Sequence, residues 1–418
     1  MTISERIAAS LPGRPPRPAP AVASRREPHA PLAGTTIITL ELAIAAPLCT
    51  RHLADMGARV IKIEQPDVGD SSRYYDDAVR GMAAHFVWLN HGKESVALDL
   101  KDPTDVASLR ELLRRADVMV SNLAPGTLAR LGFDPEQMAA THPRLITVEI
   151  SGYGHGGPLA GKRAYDLLVQ AEAGACAITG LPGRPAKSGI PVADVGTALY
   201  ALNAVLTALY DRERTGLGTF VSLAMFDVVA ELMGFAMNQV IHTGVEPVPV
   251  GMGSPMVAPY GAYATHDGRT VVLGTTSDRE WRRLAEQLLE QPDLAADPRY
   301  SGNVQRIAHR AELDELLSGW CALRDLADIQ ALADAAGIGN AVLNDVTALV
   351  NHPHLARRGR WRRVGSPVGD VPALLPPAVS PHWISDTTGP VPDLGEHTDA
   401  VRAELGALSA TADEPGHR

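Results

Sequence analysis

The sequence predicts an α/β fold, with a doubly wound, Rossmann-like parallel sheet in a large unit and a second, smaller unit after it. Three observations carry this expectation. Between residues 31 and about 225, β-rich apolar runs alternate with helical stretches of about a dozen residues, the pattern of a parallel sheet with helices on both faces. From about 226 to 335 the texture changes to helical segments and one hairpin. The length, 418 residues, suits two folding units.

Taken in order, Thr35–Leu42 is a β-rich run, Pro47–Met56 a helix candidate and Arg59–Glu64 (RVIKIE) a second strand. Ser95–Leu100 is strand-like, and Thr104–Arg115 has helical apolar spacing after the start signal Asp102-Pro103. Asp117–Ser121 and Leu145–Ile150 read as buried strands. Right-handed crossovers between such strands give the doubly wound arrangement. A long alanine-rich helix, Val195–Arg212, follows Asp194, and Thr219–Met225 is a further strand. Tyr260–Thr265 and Thr270–Gly274 form a hairpin around Asp267-Gly268. The domain plan is a flexible extension over 1–30, a large unit over 31–225, a small unit over 226–335, a return over 336–405 and a flexible tail over 406–418.

Composition excludes several classes. Hydrophobic residues make up 45% and charged residues 21%, a globular balance. The net charge is −10, and the first 30 residues hold five arginines against two glutamates, a local +3 that leaves −13 on the rest. An acidic bulk surface argues against nucleic-acid binding, which needs a basic face. No uninterrupted apolar run reaches the roughly 18 residues of a membrane span. Cys49, Cys176 and Cys321 fit neither a disulfide framework nor a metal knuckle, so no metal is expected and a reducing cytoplasm is the expected compartment.

Gly152-Tyr153-Gly154-His155-Gly156-Gly157 contains G-x-G-x-x-G, but Pro158 and Gly161 follow it where a nucleotide fingerprint requires a helix. A loop after a strand is the better reading. Lys93, Asn122, Arg130, Lys162 and Arg163 are polar or cationic groups near predicted strand ends, either a phosphate-binding set or scattered surface charge. Asp166 and Asp194 each stand at a predicted helix start. Capping explains either, yet a carboxylate held there is also poised as a nucleophile. Gly251 and Gly253 belong to a loop that is either a linker or a lid.

These segments resemble the class III CoA-transferase family, which includes formyl-CoA and carnitine-type CoA transferases and the related α-methylacyl-CoA racemases. The landmarks are Leu32-Ala33-Gly34, Gly57–Glu64 (GARVIKIE), Asn90–Lys101 (NHGKESVALDLK), Ala116–Gly126 (ADVMVSNLAPG), Arg163–Gly174 (RAYDLLVQAEAG), Arg214–Gly218, Asp267-Gly268 and Pro392–Val401 (PDLGEHTDAV). The resemblance implies a large Rossmann-like domain built from both chain ends, a smaller α+β domain inserted in it, and an interlocked homodimer. It implies that Asp194 is the nucleophile, passing through an anhydride and an aspartyl-CoA thioester. Coenzyme A then enters as part of the substrate, with no permanently bound cofactor, and the second substrate is a carboxylic acid, a dicarboxylate being plausible. By the same matching Asn122, Arg130 and Arg163 contact CoA and Lys93 lies close to it. Tyr165 and Asp166 line the acyl pocket, and Gly251 and Gly253 form a mobile cover. Gln65 stands where family members often carry an arginine after K-I-E. The racemase branch needs a histidine where this chain has Tyr165, and tyrosine, with a pKa of about 10, is a poor neutral-pH base. Transferase is therefore favoured over racemase and over a non-catalytic acyl-CoA binder.

Overall fold

The computed structural model describes residues 27–384 and 389–412. The strands of the large unit are β1 (Thr36–Leu40), β2 (Arg59–Glu64), β3 (Lys93–Ala97), β4 (Val118–Ser121), β5 (Ile146–Ser151) and, after a short hairpin of β6 (Gly180–Leu181) and β7 (Arg184–Pro185), β8 (Phe220–Ala224). Six of them form one sheet in the order β3-β2-β1-β4-β5-β8, every pair parallel. The order reverses between β1 and β4. Such a reversal is the usual place for a ligand crevice in an open α/β sheet.

Side-chain alternation fills both faces. Ile37, Val60, Val118, Val120 and Val148 pack on helices α1 (Ala45–Asp55) and, further along the chain, α4 (Val192–Thr215). Ile38, Ile61, Ile63 and Met119 pack the other face, with Leu109, Leu112 and Leu113 from α2 (Pro103–Arg115). Asp102 caps α2 by accepting from the Thr104 amide at 2.7 Å, as its Asp-Pro signal predicts. A third helix, α3 (Asp166–Glu172), precedes α4, and α5 (Met225–Leu232) and α6 (Gly234–Thr243) follow β8.

Because β8 runs parallel to β5, the helix crossing between them runs back across the sheet, and its amino end lies at the carboxyl edge of the strands. Arg212 near the far end pairs with Asp117 at 2.9 Å and fixes α4 against the opposite edge. The helix starts at Val192, three residues ahead of the expected Val195, so Asp194 lies inside the first turn and does not precede it. By length and composition α4 is apolar enough to cross a membrane. Here Ala193, Ala198, Ala201, Val205 and Ala208 form a buried stripe against the sheet and α1.

A second core surrounds β9 (Tyr260–Ala264), β10 (Thr270–Gly274) and β11 (Gly339–Val342), with α7 (Arg310–Ala322) and α8 (Leu326–Ala336). The hairpin expected at Asp267-Gly268 is present between β9 and β10. Packing carries the large core past residue 226, through Val229, Met233 and Ala236, and brings residues 339–342 into the small sheet. The chain then forms a hairpin of β12 (Trp361–Val364) and β13 (Val371–Leu374) and returns to the large sheet through α9 (Thr398–Ala412), whose Val401 and Leu405 join its second face. The helix extends into the segment expected as a tail. Most of the expected amino-terminal extension, residues 1–26, and residues 413–418 lie outside the described residues.

A buried ionic lattice sits beneath the crevice. Glu41, just after β1, accepts from Lys93 at 2.6 Å and Lys62 at 3.4 Å, and Lys62 also reaches Asp70 at 2.7 Å. Burial opposes the charge on Glu41, but the two ammonium groups outweigh it and hold its pKa at about 2. Burial lowers the pKa of Lys93, partly offset by Glu41. The ammonium of Lys93 also donates to Pro47 O at 2.9 Å and Asn90 Oδ1 at 3.1 Å, which completes its three donors. Its side chain is fully buried. The resemblance places Lys93 close to CoA; in the structure its ammonium is an internal tie between β1, α1 and β3. Lys93→Met leaves Glu41 with only the longer pair and should cost about 3–5 kcal/mol of unfolding free energy in urea titration. A loss below about 1 kcal/mol would contradict the internal role.

Candidate active site

Asp166 opens α3, with Tyr165 at the cap position. Its carboxylate does not cap its own helix. Oδ1 instead accepts from the backbone amides of Ala193 at 2.9 Å and Asp194 at 3.5 Å, in the first turn of α4. That turn begins after Pro191, which supplies no side-chain cap, so its free N–H groups are satisfied from the neighbouring helix. The second oxygen of Asp166 accepts from Gln170 Nε2 at 2.7 Å, and Gln170 Oε1 accepts from the Ser188 amide at 3.3 Å. Gln170 is thus a site residue that the sequence reading missed. Its position one helical turn after Asp166 was the available signal.

Asp194 is half-buried, and among the described residues its carboxylate has no hydrogen-bond or ion-pair partner. The amino end of a helix favours an anion, but burial and then the neighbouring Asp166 charge act against it and push the Asp194 pKa up to about 7. The group is therefore partly ionised at neutral pH and more basic than an ordinary carboxylate. Those properties suit a nucleophile. Two carboxyl groups close together at a covered helix end also cost stability, which suggests a functional reason for their placement.

The glycine loop reaches the same region. The Gly251 amide donates to Gly180 O of the β6–β7 hairpin at 2.7 Å, and a Cβ on Gly251, whose φ is +62°, would lie 2.9 Å from Leu181 Cδ2. Past Gly253 the loop is held by the small unit. Arg310 of α7 donates to Ser254 O and to Val257 O, the latter at 2.6 Å, and Asn303 donates to Met256 O at 2.8 Å. The segment is clamped to the small unit on one side and bonded to the β6–β7 hairpin on the other. The Arg310 clamp was not legible in the sequence, being a contact across more than fifty residues.

Asn122 lies after β4 at the strand-order reversal. Its side chain accepts from the Leu42 amide and donates to Leu42 O, both at 2.8 Å, and so closes the loop after β1. Arg130 is exposed, with one bond to Thr127 Oγ1 at 2.7 Å. Arg163 is exposed and, among the described residues, unpaired. Tyr165 is also exposed, before α3. The glycine-rich stretch 152–157 leads into a turn, with α3 starting only at Asp166, so it does not have the fingerprint's strand–turn–helix form. His155 on it pairs with Glu149 at 3.3 Å.

Replacing Asp194 by Asn should stabilise the protein. The raised pKa means that the folded state holds its proton more tightly than the unfolded chain between about pH 4 and 7, so ionisation costs folding free energy as pH rises through that window. Denaturant titration should show a gain of roughly 1–3 kcal/mol at pH 8 that fades by about pH 4. A gain independent of pH would contradict the assignment.

A sequence profile described as CoA-transferase family III matches residues 32–398. The chain is 32% identical over 391 residues to a succinate–glutarate CoA-transferase of Agrobacterium fabrum, covering 91% of this chain and 97% of that one. It is 34% identical to an acetyl-CoA:oxalate CoA-transferase of Acetobacter aceti, covering 92% and 98% respectively. Among solved structures, a CaiB/BaiF family protein from Brucella suis superposes with a TM-score of 0.78 at 32% identity, over 90% of this chain and 99% of that one.

Proposed function

The chain belongs to CoA-transferase family III, an enzyme moving CoA from an acyl-CoA thioester to a carboxylate, and we propose that Asp194 carries the CoA between the two. The observation that carries this reading is the unpaired Asp194 carboxylate at the first turn of α4, with its pKa raised to about 7. An Asp194 oxygen attacks the thioester carbonyl, the C–S bond breaks, and an anhydride forms as CoA leaves as thiolate. The thiolate attacks the aspartyl carbonyl, giving an aspartyl-CoA thioester and releasing the donor acid with an oxygen from Asp194. The acceptor carboxylate repeats these steps in reverse order, and the last thiolate attack restores Asp194. Each step exchanges carboxylate for thiolate, so no general base is required. A racemase, by contrast, would need a general base beside the α-carbon, and the position that carries a histidine in that branch is Tyr165 here.

Arg130 and Arg163, exposed and cationic, supply charge for the CoA phosphates, and Asn122 shapes the crevice through Leu42. Tyr165 and Asp166 border the acyl group, and the loop of Gly251 and Gly253 covers it, since an anhydride in open water would hydrolyse. The acceptor class is dicarboxylic acids, the class that appears in the relatives' names. The protein acts as a homodimer. α4 is apolar enough to cross a membrane yet only a third of its apolar stretch is buried, and Leu199 and Tyr200 on it, like Phe235, Met237 and Ile241 on α6, are exposed. Such a surface calls for another protein face.

Incubation with acyl-CoA and hydroxylamine should give a hydroxamate on the Asp194 peptide by mass spectrometry, and Asp194→Ala should lose both adduct and transfer. Full turnover in that variant would refute the nucleophile. Transfer should fall about tenfold per unit below roughly pH 7 and level off above it. Arg310→Gln should loosen the cover and raise thioester hydrolysis relative to transfer several-fold, read as free thiol against acyl-CoA product. An unchanged ratio would remove the loop from this role.

A further inference from the structure

The β6–β7 hairpin lies between the glycine loop and the acid pair, and it presents an arginine. Leu181 and Arg184 pair directly across it, joined by Pro182 and by Gly183 at φ +69°. Proline fixes the first turn residue and glycine permits the second, so the hairpin is stiff. Directly paired residues share a face of a hairpin. Leu181 projects to the Gly251 position, so Arg184 lies on the side turned toward the loop. At its other end the hairpin segment is fixed through the Ser188 amide to Gln170, and through Gln170 to Asp166. Arg184 is exposed and, among the described residues, its guanidinium makes no hydrogen bond or ion pair.

We infer that Arg184 binds the remote carboxylate of a dicarboxylic acid whose other carboxylate reacts at Asp194, an inference resting on the proposed role of Asp194. A dicarboxylate brings two negative charges toward Asp166 and Asp194, and the unreacting one needs a fixed counter-charge. A guanidinium supplies it as a planar fork that takes a carboxylate through two parallel bonds. Of the other cations in this part of the chain, Arg163 is assigned above to the CoA phosphates. Lys162 is committed to Glu172 at 2.6 Å, and Lys187 folds onto Ser188 O at 3.3 Å. The position also couples recognition to closure, because an acid held by Arg184 lies beside the contact between Leu181 and the glycine loop.

The test compares wild type, Arg184→Gln and Arg184→Lys with acetyl-CoA as donor. Succinate and glutarate are the dicarboxylate acceptors, with butyrate and valerate as their monocarboxylate counterparts. Arg184→Gln should raise KM for the dicarboxylates about tenfold or more, leave kcat within about threefold and leave the monocarboxylates unchanged, and lysine should restore part of the loss. Unaltered dicarboxylate KM, or equal shifts in both classes, overturns the inference while the nucleophile stands. Transfer that persists in Asp194→Asn overturns both.

Discussion

The contact on which the site depends is the acceptance, by one oxygen of Asp166, of backbone N–H groups from the first turn of α4. A helix that begins after proline, with no capping side chain of its own, would otherwise leave those donors in a partly covered place. The borrowed cap fixes the position of Asp194 and brings a second carboxylate close to it. The positive end of the helix favours charge on Asp194, whereas burial and the neighbouring Asp166 charge oppose it, and the opposition prevails. One arrangement thus gives the proposed nucleophile its place and its basicity. The Gln170 and Ser188 bonds extend it to the β6–β7 hairpin, and through Gly180 to the glycine loop.

Three of the sequence motifs that carry the family resemblance meet at the β3 side of the large sheet. Glu64 of the RVIKIE strand receives Arg73 at 2.8 Å and the Ser95 hydroxyl at 2.6 Å, and Ser95 Oγ in turn accepts from the Gly395 amide at 2.9 Å. The carboxyl-terminal PDLGEHT stretch thereby docks on β3. Lys62, Glu41, Asp70 and Lys93 form the adjoining lattice. Buried ion pairs of this kind contribute little net stability but cost several kcal/mol when one partner is removed, on the order of 3–5 kcal/mol. Their value here is geometric. They join the segments after β1 and β2 to β3 and the returning chain end, and so hold the crevice edge in one arrangement.

The sheet was legible where a single periodicity dominated. RVIKIE, DVMVS and the segment ending VEI are short apolar runs bounded by polar or turn residues, and each is a central strand. Long-range ties were not legible. Lys93 reads as a ligand cation because nothing near it in sequence reveals Glu41, fifty-two residues away, which consumes its charge. Asp166 reads as the cap of its own helix because the amides it serves lie twenty-seven residues later. Asp194 was singled out through family resemblance, since a carboxylate near a helix start is by itself a common structural feature. Arg310 and Gln170 matter through contacts that only the fold creates.

The route of oxygen through the reaction tests the central claim most directly. If the acceptor acid is supplied with both carboxylate oxygens as the heavy isotope, each turnover should leave one of them on Asp194, and the next should release either that oxygen or the remaining unlabelled one with the donor acid. Mass spectrometry of the peptide spanning Asp194 should therefore show label that accumulates with turnover and depends on the presence of both substrates. Label absent from Asp194 while product forms, or found on Asp166 instead, would contradict the account.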